Sequence, residues 1–275
     1  MTHLKFLNVK NLYNIFDSLT GLLDSLNISI DKDGLYVRQM DSSHTCYIDL
    51  TLFKDDFEIF QPSNSDQEYG LLLKNFVNVL GSCRDADFII IYINDNKFNL
   101  EFRYKNYVKN FELNTISIDI VQLEIPGCDY QCEIKLASIK YNNLIDTVNI
   151  MESNFIDFSL KGGELTISGV GDIGKFNQTY SKNSEVSQLK NLKIKTGDGS
   201  VIISKINNPE YYALYCSNND LENSYSFKLM SLFKKSSKLS NNILINLNQD
   251  QPLKMDIMIN DDTGSNLSFY LAPKT

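Results

Sequence analysis

The sequence predicts an α+β protein made of one domain used twice, each copy carrying two short helices on antiparallel sheets. Three observations predict it. A helix–strand–glycine turn–strand theme occurs twice, about 130 residues apart. Most remaining segments alternate apolar and polar residues between tight polar turns, the mark of half-buried antiparallel strands. The 275 residues (31.4 kDa) exceed the common size of a single domain, and 43% hydrophobic with 22% charged residues is a globular composition, not a disordered or fibrous one.

Taken in order, Leu12, Ile15, Phe16, Leu19, Leu22, Leu23 and Leu26 recur at helical spacing, so residues 11–26 are expected to be helical. NISI and LYVRQM then alternate like strands around a DKDG turn. Leu72 to Cys83 reads as a second short helix, followed by the strand segments FIIIYI, KFNLEFRY and, at 107–116, YVKNFELNTI. In the second half, residues 138–151 place Ile139, Leu144, Ile145 and Val148 on one helix face, and FIDFSL, a Gly-Gly turn and ELTISG rebuild the hairpin. SFKLMSLFKKSSKL reads as the last helix, and NILINL, PLKMDIMI and LSFYL as closing strands. The domains are set at residues 1–116 and 133–275, with a Ser/Asn/Lys/Gly-rich insertion near 181–210. Between them, residues 117–132 carry three acids (Asp119, Glu124, Asp129), no base and an apolar cluster of Ile118, Ile120, Val121, Leu123 and Ile125. A linker so constituted is expected to lie against a surface.

Net charge is −8 and the pI about 4.9, which disfavours gripping nucleic acid by an open basic face, because that mode needs many cations to release counterions. The acidic excess lies in residues 1–116 and the linker. Bases group on the helices: Lys74 and Arg84, Lys140, and Lys228, Lys234, Lys235 and Lys238. No stretch approaches the apolar length of a membrane span, and the N-terminus lacks the pattern of a signal peptide. Five scattered cysteines read as reduced thiols of an intracellular protein rather than a disulfide framework.

No constellation for catalysis emerges. Gly169-Val-Gly171-Asp-Ile-Gly174 matches the dinucleotide fingerprint, but no amphipathic helix follows it, so it reads as a glycine-rich strand bend. Asp41-Ser42-Ser43-His44 holds Ser, His and Asp in succession, where side chains point apart instead of converging as a triad must. Cys128 and Cys132 lack the second pair a zinc site needs. Neither a metal nor a cofactor is expected.

MDSSH (Met40 to His44) after L-x-V-x-Q, QLEIP (Gln122 to Pro126), GDIG (Gly171 to Gly174), QPL (Gln251 to Leu253) and terminal YLAPK (Tyr270 to Lys274) together resemble the proliferating cell nuclear antigen family, the DNA sliding clamps of eukaryotes, archaea and their large DNA viruses. The resemblance spans nearly the whole chain and accounts for the duplication. It implies a duplicated clamp domain, a closed homotrimeric ring with helices lining a channel around duplex DNA, and a non-enzymatic processivity factor. It also implies partners: DNA polymerase and other proteins bearing a short clamp-binding motif, and a clamp loader. Work in the nucleus, or in a viral replication compartment, is the expectation.

Carried over residue by residue, the resemblance places partner binding at Met40, His44, Tyr47, Leu123, Ile125, Pro126, Pro252, Tyr270, Leu271, Ala272 and Pro273, with Tyr47 in place of a usual aliphatic residue. Channel cations would be Lys10, Lys74, Arg84, Lys140, Lys228, Lys234, Lys235 and Lys238, a thin lining concentrated in the second domain and a weak, salt-sensitive grip. Subunits would join through residues 107–116 and 174–181, Phe111 and Leu113 facing Gln178 and Tyr180 of the neighbour, with a monomer–trimer equilibrium expected from the polar second strand. Lys161 aligns with a lysine that eukaryotic members modify with ubiquitin. The alternatives are an enzyme on the same scaffold, a monomeric accessory factor that does not close, and one subunit of a heterotrimeric damage-checkpoint ring.

Overall fold

The computed structural model describes residues 2–63, 67–94, 97–118, 130–181, 212–217 and 219–274. The first half runs β1 (Thr2–Phe6), α1 (Val9–Ser18), β2 (Ser25–Ile30), β3 (Gly34–Met40), β4 (Cys46–Phe53), β5 (Ile59–Gln61), β6 (Gln67–Leu72), α2 (Leu73–Ser82), β7 (Phe88–Asn94), β8 (Lys97–Tyr104) and β9 (Tyr107–Asn114). The second runs β10 (Cys132–Ala137), α3 (Ser138–Ile150), β11 (Phe155–Lys161), β12 (Glu164–Gly171), β13 (Gly174–Ser181), β14 (Tyr212–Cys216), β15 (Leu221–Ser226), α4 (Phe227–Leu232), which tightens into a 3-10 turn over Phe233–Lys238, β16 (Asn242–Leu247), β17 (Leu253–Asn260) and β18 (Ser265–Leu271). The two orders match element for element.

Helix α1 starts where the Asn8 side chain accepts from the Asn11 amide at 2.9 Å, satisfying an otherwise orphaned donor. It buries Val9, Leu12, Ile15 and Phe16 and ends at Ser18, well short of the expected residue 26. Gly21 sits at φ +91°, a left-handed conformation that ends the helix. Leu19, Leu22, Leu23 and Leu26 are buried all the same, from a turn and from β2. Helix α3 differs in its face: Ser138, Tyr141, Leu144, Ile145 and Val148 point inward, while Ile139 is exposed. Tyr141 is fully buried, and its hydroxyl donates to the Met230 carbonyl at 2.7 Å, tying α3 to α4.

Three sheets lie against these helices. The largest has nine strands in the order β14-β10-β16-β17-β18-β4-β3-β2-β6 and crosses the two halves where β18 pairs antiparallel with β4. A five-stranded sheet, β5-β1-β7-β8-β9, and a four-stranded sheet, β13-β12-β11-β15, complete the fold. The helices share one layer. Helix α1 packs on α2 and on the 3-10 turn of the second half, which packs on α3.

Two motifs that hint at chemistry prove structural. Gly171 and Gly174 face each other across the two-residue turn of the β12–β13 hairpin, and a strand, not a helix, follows. A Cβ on Gly171 would run into the Met151 carbonyl. The Asp41 carboxylate, in the turn between β3 and β4, accepts from the amides of Thr45 and Cys46 (both 2.7 Å) and Ser43 (3.2 Å) and from the Ser43 hydroxyl. Burial alone would raise its pKa, but these hydrogen bonds outweigh burial and hold it below the usual carboxylate value. His44, at φ +53°, belongs to the same turn. Cys46, Cys83 and Cys132 are buried free thiols, Cys216 is buried as well, and Cys128 lies outside the described residues. Among the described residues no cluster of His, Cys, Asp and Glu is arranged to hold a metal, and no helix is long and apolar enough to cross a membrane.

Candidate functional site

The helical layer carries the expected cations unevenly. Lys10 and Lys74 stand exposed in the first turns of α1 and α2. Arg84, just past α2, lays its guanidinium 4.8 Å from the Tyr13 ring centre while its Nε donates to the Gly81 carbonyl at 3.1 Å. Gly81 permits this because a Cβ there would sit 3.1 Å from the Tyr13 ring. Tyr13, Lys74 and Arg84 edge a cleft of about 400 Å³ between α1 and α2, with Asp17 also in its lining. In the second half, Lys228 is exposed and Lys140 half-buried, but the other three lysines are engaged. Lys234 pairs with Asp146 of α3, and Lys238 lies 3.8 Å from Asp17 of α1. The Lys235 ammonium donates to the Thr20 hydroxyl and, at 3.2 Å, to the Thr20 carbonyl. Two of the five cations expected in the second half, Lys234 and Lys238, thus already have carboxylate partners within the chain. Lys10, Lys74, Arg84, Lys140 and Lys228 make no ion pair among the described residues.

The partner-binding candidates gather where the halves meet. Strand register aligns Met40 with Tyr47, Tyr47 with Tyr270 and Tyr270 with Lys254, a single row over β3, β4, β18 and β17. The Tyr47 and Tyr270 rings are 6.1 Å apart, and the Lys254 ammonium lies 5.6 Å from the Tyr270 ring centre and 2.9 Å from Asp256. Burial pushes the pKa of both tyrosines up, with Asp49 adding to the shift, so both stay neutral phenols. Beyond the row, His44 and Pro252 are exposed, and Ala272 and Pro273 are half-buried. The tail is tied down by its backbone, Ala272 donating to the Thr45 carbonyl (2.9 Å) and Lys274 to the Ser224 carbonyl (2.7 Å).

Leu271 does not belong to the surface. Strand alternation turns it to the opposite side from Tyr270, where it is 0% exposed in the core. Leu123, Ile125 and Pro126, with most of the linker and of the 181–210 insertion, lie outside the described residues. Lys254 is the member the sequence reading missed. The alternation of PLKMDIMI places it on the Tyr270 face only once the β17–β18 register is known.

The third feature is a pair of sheet edges. Strand β9 ends the five-stranded sheet and β13 ends the four-stranded one, so among the described strands each has one side unpaired. Phe111 and Leu113 are half-buried against their own core, Phe111 edge-on to Phe102. On β13, Phe176 is likewise half-buried, whereas Tyr180 is buried against Tyr212 within its own subunit and accepts from the Gln178 amide at 2.9 Å. Lys161 is exposed beside the Gly162–Gly163 turn, 3.5 Å from Glu222.

A basic helical layer, an aromatic patch at the seam between halves and the terminal strands β9 and β13 are the features of a scaffold rather than of a catalytic pocket. The models of the N-terminal and C-terminal domains of proliferating cell nuclear antigen match residues 1–125 and 124–274, and the chain belongs to that family. It is 25% identical over 295 residues to proliferating cell nuclear antigen 1 of Plasmodium falciparum, in isolates K1/Thailand and 3D7, covering all of this chain and 97% of the relative. The crystal structure of the proliferating cellular nuclear antigen of Entamoeba histolytica shares the fold, with a TM-score of 0.81 at 22% identity over 100% of this chain and 99% of that one. The chain is thus a sliding clamp, a non-enzymatic scaffold that assembles as a trimer, binds DNA and carries polymerase and other replication and repair proteins.

Proposed function

We propose that the ring closes by laying β9 of one subunit along β13 of the next, so that each seam between chains copies the seam within a chain. The observation that supports this is topological. The strand order β5-β1-β7-β8-β9 of the first half recurs as β14-β10-β16-β17-β18, and β4-β3-β2-β6 recurs as β13-β12-β11-β15. Strands β18 and β4 pair inside the chain, and their repeat counterparts are β9 and β13, each a terminal strand of its sheet among the described strands. Following equivalent ladder positions makes Phe111 the counterpart of Phe269, and Phe176 that of Ile48. Since Phe269 faces Ile48, Phe111 would face Phe176, Lys109 would face Gln178, and on the outer side Glu112 would face Lys175. This register revises the expected contact of Phe111 with Gln178 and Tyr180.

A chain of net charge −8 then stays on DNA by enclosing it, with Lys10, Lys74, Arg84, Lys140 and Lys228 supplying weak contacts to phosphates. Partners bearing a short apolar–aromatic motif would dock on Met40, His44, Tyr47, Tyr270, Ala272, Pro273 and Pro252, with Leu123, Ile125 and Pro126 of the linker as the other wall, and Leu271 supporting the patch from beneath. A clamp loader would open one β9–β13 seam. The working compartment would be the nucleus or a viral replication site. Retention on nicked circular against linear DNA, with solution mass by light scattering, tests the reading. A mass of three chains and selective retention on circles are expected. A one-chain mass, or equal loss from both templates, refutes it.

A further inference from the structure

The lysines of the α4 segment are distinguished by what already holds them. Lys234 and Lys238 are each paired with a carboxylate that reaches in from another helix, Asp146 from α3 and Asp17 from α1. The pairs are not sealed: Lys238 is 57% and Lys234 30% exposed, so an arriving anion can reach both ammonium groups. An exposed ion pair is worth only about 0–1 kcal/mol, so a passing phosphate can displace the carboxylate and the carboxylate can take the lysine back.

We infer that Asp17 and Asp146 are tuning residues that compete with DNA phosphates for Lys238 and Lys234 and so keep the clamp's grip on DNA loose. The inference rests on the helical layer facing DNA. A lysine leaving one phosphate is received by its own carboxylate instead of by water, which flattens the profile along the duplex. Without the acid, the lysine's best partner is always a phosphate, and each such contact adds to the counterions released on binding. The two pairs differ structurally, since Asp17–Lys238 bridges the halves of the chain and Asp146–Lys234 lies within the second. A purely structural role would therefore not give both the same effect on DNA.

The test compares D17N, D146N and the double variant with D261N, an equal change of charge in the exposed turn between β17 and β18. Binding to a short linear duplex is measured across salt, with thermal melts to verify folding. D17N and D146N are expected to tighten binding several-fold at low salt and to steepen the slope of log K against log salt by up to about 0.9 for each phosphate gained. K238Q should cancel the gain from D17N, and K234Q the gain from D146N. Equal effects from D261N, or gains that survive loss of the partner lysine, overturn the inference. Selective retention of the wild type on circles separates this outcome from failure of the ring itself.

Discussion

Reversing the charge of Lys175 asks whether one subunit reads the next as the second half of the chain reads the first. In the transferred register Lys175 stands opposite Glu112, whose carboxylate also receives Lys97 at 2.7 Å. Cross-strand charge pairs contribute about 0.2–1 kcal/mol and like charges cost a similar amount, so Lys175→Glu shifts each seam by about 1 kcal/mol. Three seams make about 3 kcal/mol, or roughly a hundredfold in the three-body association constant, since 1.4 kcal/mol is tenfold. Because that equilibrium depends on the square of the free chain concentration, the trimer midpoint should rise about tenfold. Sedimentation velocity over a dilution series reads this directly, and high salt should shrink the shift. Thr179→Glu is the control, since Thr179 would face the uncharged Val108. Equal shifts from the two substitutions, or none from Lys175→Glu, would refute the register.

Other expectations follow from individual contacts. Tyr270→Ala should weaken binding of a clamp-binding peptide tenfold or more in calorimetry while the melting curve barely moves, whereas Leu271→Ala should cost about 2–5 kcal/mol of stability in denaturant unfolding by opening a core cavity. Gly171→Ala should lower the melting temperature by several degrees, because its Cβ meets the Met151 carbonyl. Tyr141→Phe should cost about 0.5–1.5 kcal/mol by removing one buried hydrogen bond to the Met230 carbonyl, which keeps the Phe233 amide as a donor. Asp41 has a lowered pKa in the fold, so its contribution to stability is present above the unfolded carboxylate pKa and is lost as pH falls through the folded value. The stability gap between wild type and Asp41→Asn, followed by denaturant titration, should be constant near neutrality and close in acid.

Local pattern placed β2, β3, β7, β8, β9, β11, β12, β16, β17 and β18, because period-2 alternation is a direct trace of one face buried and one wet, whereas β1, β4, β5, β6, β10, β14 and β15 emerge only in the structure. It overran at α1, because leucines spaced three and four apart look helical whether a helix, a turn or a strand buries them. The glycine at position 21 was the only local sign of the stop. Burial is settled by what comes over from elsewhere in the chain, which is why Ile139 fitted a helical face on paper and yet faces outward, and why Leu271 sits in the core beside a surface tyrosine.

By itself the amino-acid order determined the duplication, the α+β class, the lack of a catalytic constellation and, through MDSSH and YLAPK, the family, since all of these are written in short segments. Tertiary structure alone decided which lysines are ion-paired, which face of β18 is exposed and that β18 and β4 join the two halves in one sheet. Each of these depends on pairings between residues as far apart as Asp17 and Lys238 or Tyr47 and Tyr270, and no local periodicity encodes a partner more than two hundred positions away.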